Sequence, residues 1–238
     1  MKLLDLTLST PAENLALDEA LLDAAEAASR DEVLRIWEPA EHFVVSGRSS
    51  QVELEVNVGA CRQRGVPILR RASGGAAIVA GPGCLMYSVI LGYSRRPDLR
   101  MLDRAHQFVL SRVATGLASL GMRAGMCGTS DLAVEGRKVS GNSLRCKRDH
   151  LLYHGTLLYD FDLTLVGGLL RMPPRQPVYR AGRPHGQFVA NLPVGANSLR
   201  IGLAAAFEAD QPLEDWPREQ TARLVASRYG RDDWNARP

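Results

Sequence analysis

Apolar positions along the chain recur with two periods, and each change of period marks an element boundary. Leu17, Leu21, Ala24 and Ala28 fall on one helical face. The Thr10-Pro11-Ala12-Glu13 run ahead of them is a capping box with proline at the first helical position, so a helix is predicted to start there and reach about Ser29. Val33 to Pro39 and His42 to Gly47 predict two short strands joined by a turn. Asn57 to Arg64 predicts a helix closed by Gly65. Strands are expected over Val66 to Arg71, Ala76 to Val79 and Leu85 to Leu91. A long helix starts near Asp103, carries Val109, Val113, Leu117 and Leu120 on its apolar face, and stops at Gly121. Leu132 to Val134 and Lys138 to Leu144 flank the hairpin turn Glu135-Gly136, and Leu151 to Leu158 follows a polar turn. From Leu163 to Pro193 the chain predicts loop with one short helix at most; Asn197 to Ala209 and Arg218 to Tyr229 read as helices. Many strands with few long helices between them predict an α+β domain, a mainly antiparallel mixed sheet packed by helices.

With 238 residues, 45% hydrophobic and 23% charged, the chain has material for one large domain or two small ones. A net charge of +3 is too small to indicate nucleic acid, but its distribution is uneven. Leu163 to Phe207 holds no acidic residue while containing Arg171, Arg175, Arg180, Arg183 and Arg200, a patch suited to an acidic protein partner or a phosphate; a solvated loop is the plainer reading. The four cysteines form no C-x-x-C pair, the start MKLLDLTLST lacks the features of a signal peptide, and no run reaches the ~20 apolar residues of a membrane span, so a reducing cytoplasm and no membrane partner are expected.

The chemistry concentrates in RRASGGAAIVAGPG, Arg70 to Gly83. Gly74 and Gly75 put no Cβ between backbone amides and a ligand, and such amides form anion-binding nests; Arg70 and Arg71 add positive charge. The spacing is neither the G-x-G-x-x-G of a dinucleotide site nor a P-loop. A glycine turn beside two solvated arginines remains the alternative. In GRKVSGNS, Lys138 stands just before Ser140-Gly141, a point charge suited to a phosphate or a developing acyl oxyanion, or else a surface lysine beside a turn. Strand alternation puts His154, Thr156 and Leu158 on one face, with a satisfied structural histidine as the commoner explanation. Cys127, in GMCGTSD, is a nucleophile if a neighbouring cation lowers its pKa and otherwise a small hydrophobe.

As an ordered set these segments resemble the lipoate-protein ligase A family, within the wider group of biotinyl, lipoyl and octanoyl protein ligases and transferases. The likeness runs through NLALDEALL (Asn14 to Leu22), LRIWEPAEHFVVSGR (Leu34 to Arg48), RRASGGAAIV, YSVIL (Tyr87 to Leu91), SDLAVEGRKVSGNSLR (Ser130 to Arg145), YHGTLLYDFDL (Tyr153 to Leu163) and FVANL (Phe188 to Leu192), covering most of the chain. The resemblance implies a class II biotinyl/lipoyl protein ligase-like catalytic domain over residues 1–238. Its activity would be transfer of a lipoyl group to a carrier lysine through a lipoyl adenylate made from lipoate and ATP, with Mg2+. It assigns Arg70, Arg71, Ser73, Gly74, Gly75 and Ala76 to the acyl chain and adenylate phosphate, and Lys138 to the reacting carbonyl and phosphate oxygens. Asp131 falls near the nucleotide and His154 and Thr156 along the acyl pocket, and Ser140 and Gly141 are counted with the substrate- and adenylate-binding residues. The carrier implied is an acidic lipoyl domain or a glycine-cleavage H-like protein; nucleic acid is not an expected partner.

Departures from the family pattern bear on the reaction. Ala80 stands where many relatives have histidine, and a histidine pair is reduced to Tyr153-His154. The chain stops after Asp233-Trp234-Asn235, near the usual end of the catalytic domain, so an absent C-terminal accessory domain, with a separate accessory-domain protein, is expected. Two other readings follow: an ATP-independent octanoyl or lipoyl transferase working through a Cys127 thioester, and a non-catalytic module that holds a lipoylated carrier.

Overall fold

Two sheets share the strands of this chain. The computed structural model describes residues 1–28 and 31–237. In chain order the elements are β1 (Lys2–Asp5), α1 (Pro11–Ala28), β2 (Val33–Trp37), β3 (Phe43–Ser46), α2 (Val52–Glu55), α3 (Val58–Gln63), β4 (Ile68–Arg70), β5 (Ile78–Ala80) and β6 (Cys84–Gly92). There follow α4 (Leu102–Ala118), β7 (Gly125–Cys127), β8 (Asp131–Val134), β9 (Arg137–Cys146), β10 (His150–Leu158), α5 (Thr164–Leu169), α6 (His185–Phe188), α7 (Ala196–Ala206), β11 (Gln211–Pro212), α8 (Arg218–Leu224) and α9 (Asp232–Asn235). The larger sheet has eight strands in the order β11-β1-β2-β6-β10-β9-β8-β7, parallel over its first three strands and antiparallel from β2 onward. The smaller has three, β4-β3-β5, with β3 parallel to β4 and antiparallel to β5. This is the mixed, mainly antiparallel α+β architecture that the sequence predicts.

Alternation along β6 and β10 divides the core. Leu85, Tyr87, Val89 and Leu91 join Leu151, Tyr153 and Leu157 on one face, where Val109, Val113 and Leu117 of α4 and Leu199 and Leu203 of α7 cover them. On the opposite face, Ile90 and Leu152 pack against Leu17, Leu21 and Leu22 of α1. Farther along that face, Cys84, Met86 and Leu158 meet Phe43, Val44 and Val45 of the small sheet. The site described below lies on this second face, between the two sheets.

Local signals are met where they rest on backbone geometry. Glu13 N–H donates to Thr10 Oγ1 at 3.2 Å and Thr10 N–H donates to Glu13 Oε2 at 2.8 Å, the reciprocal pair of a capping box. The turn residues Glu135 and Gly136 both have positive φ, 49° and 73°, as a two-residue hairpin with the native strand twist requires. α1 is described to Ala28; Ser29, its expected last residue, lies outside the described residues.

Long-range pairing corrects other expectations. β2 and β3 are not a hairpin: β2 already lies between β1 and β6, and β3 between β4 and β5, so neither has a free edge for the other. Residues 163–193 are more ordered than predicted, with α5, α6 and a 3-10 turn over Val178–Arg180. Bridges from Val56 to Leu170 and from Lys138 to Val189 tie the segment down. α2, β7 and β11 were unsignalled, and the last long helix ends at Leu224 in a π-helical turn, Val225–Tyr229.

One row of polar residues crosses the apolar interior. Arg35, Ser88 and His154 are successive cross-strand partners on β2, β6 and β10, and Ser143 continues the row on β9. Arg35 is wholly buried; its guanidinium meets Asp18 Oδ1 at 2.6 Å and donates to Asn14 Oδ1 at 2.6 Å, both on α1. Ser88 Oγ donates to the same Asp18 oxygen at 2.7 Å. Burial raises the Asp18 pKa, and Arg35, His154 and Ser88 together outweigh it, leaving the group below its ordinary 3.8. The charged carboxylate therefore stabilises the fold fully above the unfolded pKa, and this contribution is lost as pH falls through the lower folded value. Arg35→Met strands that carboxylate without its cation. We expect it to cost about 3–5 kcal/mol in denaturant unfolding at neutral pH, as loss of one partner of a buried pair does.

Candidate functional site

The β8–β9 hairpin builds one end of the candidate site. Register shifts between Leu132 and Ala133: Leu132 faces Ser140, Ala133 faces Lys138, and Val139 is the extra residue. Such a bulge re-aims the side chains beyond it. Val139 and Leu132 turn into the core, while Lys138 comes to the face of Asp131 and Gly141. There Lys138 Nζ meets Asp131 Oδ1 at 2.6 Å, and the Tyr179 hydroxyl donates to Asp131 Oδ2 at 2.7 Å. Burial, then the Asp131 charge, raises the Tyr179 pKa, so the phenol stays protonated and keeps donating. A Cβ on Gly141 would lie 2.8 Å from Lys138 Cε and Nζ, so the lysine crosses the strand at the one residue type that leaves room for it. Cys127 is the cross-strand partner of Asp131, which places its half-buried thiol on the same face.

The glycine turn faces this hairpin. Gly74, Gly75 and Ala76 are exposed, and among the described residues their amides donate to no protein acceptor; the next amide, of Ala77, donates to Glu55 Oε2 at 2.5 Å. Gly75 has φ +87°, and a Cβ there would meet Arg71 Nη2 at 2.9 Å. Gly47 is the tighter position, since a Cβ on it would fall 1.9 Å from the Gly75 carbonyl oxygen. The turn is held from beneath. Arg71 donates to the Gly74 and Ala76 carbonyls at 2.5 and 3.0 Å and to Ser73 Oγ at 3.1 Å; Ser73 Oγ lies 2.5 Å from His154 Nε2, and Ser143 Oγ donates to the Gly74 carbonyl at 2.9 Å. Burial lowers the Arg71 pKa to about 10, with the Glu55 charge opposing, so the group is a cation at neutral pH.

Between turn and hairpin opens a cavity walled by Ile78, Val79, Leu158, Val166, Leu170, Phe188 and Val189, with Lys138, Asp131, Glu55, Arg171, Arg175 and His185 at its polar side. Burial lowers the His185 pKa, and the charges of Arg180 and Lys138 lower it further, so this ring is neutral at pH 7.

Of the residues singled out from sequence, Ala76, Asp131, Lys138, Ser140, Gly141 and Thr156 line the cavity. Gly74 and Gly75 lie next to Ala76 in the exposed turn. Arg70 does not reach it. Its buried guanidinium donates to the carbonyls of Gly47 at 2.9 Å, Ser50 at 2.9 Å and Trp234 at 3.2 Å, and also to that of Arg237. That side chain therefore fastens the chain end to the turn rather than offering free charge. His154 likewise sits behind the turn, between Ser73 and Asp18, where its Nδ1 is 3.5 Å from Asp18 Oδ2, and not along the apolar wall. The arginine patch divides. Arg171, Arg175 and Arg180 line the cavity, with Arg180 stacked over Phe188 at 4.6 Å; Arg183 is spent on backbone carbonyls, and Arg200 pairs with Asp5 on β1. Glu55, Tyr179, His185 and Gly47 carry no sequence signal of their own, because each acts through a partner remote in the chain.

Comparisons with known proteins give the family and the fold. The family model described as Lipoyl protein ligase A/B catalytic domain matches residues 10–198. A probable lipoate-protein ligase A of Mycoplasma pneumoniae is 33% identical over 162 residues, 68% of this chain and 46% of its own, so the chain spans about half the length of that relative. An octanoyltransferase LipM of Brevibacillus brevis is 26% identical over 266 residues, 96% of this chain and 95% of its own. Among solved structures, a lipoate-protein ligase A bound with ATP superposes with a TM-score of 0.83 at 21% identity, over 99% of this chain and 98% of that one. A putative lipoate protein ligase of Thermoplasma acidophilum with bound lipoic acid gives 0.82 at 20%, over 99% of both chains. These two likenesses establish the fold.

The two glycines of the turn are expected to respond differently to a side chain. Gly75→Val places a β-branched residue at positive φ against Arg71 and should cost about 1–3 kcal/mol. Gly74→Ala, with nothing within 4 Å of its Cβ, should stay within ~0.5 kcal/mol of the parent. Urea unfolding of both variants checks this.

Proposed function

The chain belongs to the lipoyl protein ligase A/B catalytic-domain family, and we propose that it attaches a lipoyl group to a carrier lysine by way of a lipoyl adenylate made from lipoate and ATP. The observation that carries this reading is the Lys138–Asp131 pair at 2.6 Å on the cavity wall, facing a turn whose amides are unpaired. A mixed anhydride concentrates negative charge beside its reactive carbonyl. Amides of Gly74, Gly75 and Ala76 suit the phosphate, and the Lys138 ammonium suits the carbonyl oxygen, where charge grows as the carrier lysine attacks. The neutral carrier amine forms a C–N bond and gives up a proton to solvent, the bond from the acyl carbon to the bridging phosphate oxygen breaks, and AMP leaves with the bonding pair. Asp131, itself held by Tyr179, orients the ammonium. The apolar wall suits an acyl chain and Thr156 its polar end, while Arg171 and Arg175 give the rim a charge suited to an acidic lipoyl domain or H-like carrier.

Among the described residues no group of three or more His, Cys, Asp or Glu side chains is placed to hold a metal ion, so Mg2+ is proposed to arrive with ATP. Among those same residues no helix is long and apolar enough to cross a membrane, and we place the reaction in the cytoplasm. A separate accessory-domain protein is the proposed partner should adenylation by this chain alone prove slow.

A second reading has its own support. Cys127 faces Asp131 by register, and the octanoyltransferase relative matches nearly the full length of both chains. An ATP-independent transferase would move an octanoyl or lipoyl group onto Cys127 as a thioester and then to the carrier lysine.

One set of assays separates the readings: carrier modification from lipoate with ATP, and from an octanoylated donor without it. Lys138→Ala should keep the fold and lower transfer by at least ~10²-fold; activity within a few-fold of the parent removes Lys138 from the chemistry, and a parent with no activity under either condition favours the non-catalytic binding module. For the ligase, Cys127→Ser should retain most activity. A hydroxylamine-sensitive acyl adduct on Cys127, formed without ATP, selects the thioester route.

A further inference from the structure

Glu55 is the acidic side chain of the cavity that the proposed chemistry leaves unused. It ends α2, a single turn between β3 and α3, and it touches both walls. Its Oε2 accepts the Ala77 amide at 2.5 Å, at the exit of the glycine turn. Its own carbonyl accepts the Arg171 amide at 2.9 Å, where the arginine-bearing segment begins, and the adjacent Val56 carbonyl accepts Arg171 Nε at 3.3 Å. An isolated carboxylate beside a site built for anions opposes binding of the ligand. Here two features compensate: the Arg71 guanidinium, buried under the turn, is close enough to Glu55 to feel its charge, and the Ala77 amide is turned toward the carboxylate. Capping that amide also fixes the peptide plane after Ala76, the residue whose carbonyl Arg71 grips at 3.0 Å. The turn is thus pinned at both ends, by Ser73 and Arg71 on entry and by Glu55 on exit, with the free amides of Gly74, Gly75 and Ala76 between the pins.

We propose that Glu55 is a positioning residue of the acyl-donor seat: it ties the exit of the glycine turn to the Arg171 segment and so aims the three free amides at the anionic group of the donor. This rests on the acyl-adenylate reading of the cavity. The bond to Ala77 requires an acceptor oxygen at that reach, which glutamine supplies and aspartate or alanine does not.

The test measures binding by titration calorimetry with two probes, a non-hydrolysable sulfamate analogue of lipoyl-AMP and neutral octanamide, which carries the acyl chain without the anion. Glu55→Ala and Glu55→Asp should each weaken the analogue at least ~10-fold while octanamide affinity stays within ~2-fold, and Glu55→Gln should remain within ~3-fold of the parent for both. Thermal unfolding of each variant serves as the control for fold. If Glu55→Ala binds the analogue like the parent, or loses both probes alike, or if Glu55→Gln fares as badly as Glu55→Ala, the positioning role is overturned. A parent that does not bind the analogue at all overturns the adenylate reading itself, so the two failures are told apart by the parent's titration. Should Glu55→Ala not fold, the Asp and Gln pair alone decides the matter.

Discussion

The polar row across the large sheet is the constraint on which the site depends. Arg35, Ser88, His154 and Ser143 occupy adjacent strands at one level, and each faces α1 or the glycine turn rather than the hydrocarbon around it. Burying a guanidinium and a carboxylate is costly unless hydrogen bonds meet nearly every donor and acceptor. Here Asn14 and Asp18, one helical turn apart on α1, take the Arg35 fork, and Ser88 and His154 take what remains of Asp18. The row leaves α1 little freedom to slide or rotate on the sheet. Its far end meets the candidate site: His154 hands its second nitrogen to Ser73, and Ser143 reaches the Gly74 carbonyl, so the height of the glycine turn above β10 and β9 is set by groups anchored 50 residues or more away in sequence.

A second economy concerns glycine. Three close approaches define the cavity's geometry, Gly47 under the Gly75 carbonyl, Gly75 over the Arg71 guanidinium, and Gly141 beneath the Lys138 chain. Only the first joins parts separated by a strand or more, since Gly75 and Arg71 share one turn and Gly141 and Lys138 share β9, and only at Gly75 does backbone φ also demand glycine. The bulge at Val139 supplies the rest: were Val139 paired with Ala133 in regular register, Lys138 would fall opposite Val134, on the face that Leu132 turns into the core. The placement of Lys138 thus depends on an irregularity of pairing as much as on residue type.

How much of this was legible follows from the range of each interaction. Thr10 with Glu13 and Glu135 with Gly136 act within a few residues, so their types alone foretold a helix start and a hairpin. Lys138, Asp131, Thr156 and the SGG turn were legible as an ordered set that resembles a family, although no single one was specific. Arg70 and Arg71 look identical in the sequence; strand alternation sends them to different partners, Arg70 to the carbonyls of Gly47, Ser50 and Trp234 and Arg71 under the turn. The Arg35–Asp18 pair, Tyr179 on Asp131 and Glu55 on Ala77 join residues 17, 48 and 22 positions apart, and such meetings exist only once the sheet order is known. The expected β2–β3 hairpin failed for the same reason: short connections favour neighbours, but both strands are buried and already paired on each edge.

The ligase and thioester readings draw on one piece of electrostatics. Either route passes through a carbonyl carbon that becomes tetrahedral and an oxygen that becomes negative, and a lysine preorganised by a carboxylate stabilises that oxygen whichever group leaves. What differs is the donor side. An adenylate brings a phosphate, for which the free amides of Gly74, Gly75 and Ala76 and the Arg71 charge beneath them are suited; a thioester brings no charge to that turn and needs a thiolate on the other side of Asp131. By register a thiolate on Cys127 would stand opposite the Asp131 carboxylate, a like charge, and the Lys138 ammonium on that face is already committed to Asp131 at 2.6 Å. On the proposed reading the turn suits an anion that the ligase route supplies, whereas the face of Asp131 disfavours the one that the thioester route requires. That asymmetry, and not the presence of a cysteine, is the ground on which we propose the adenylate route first.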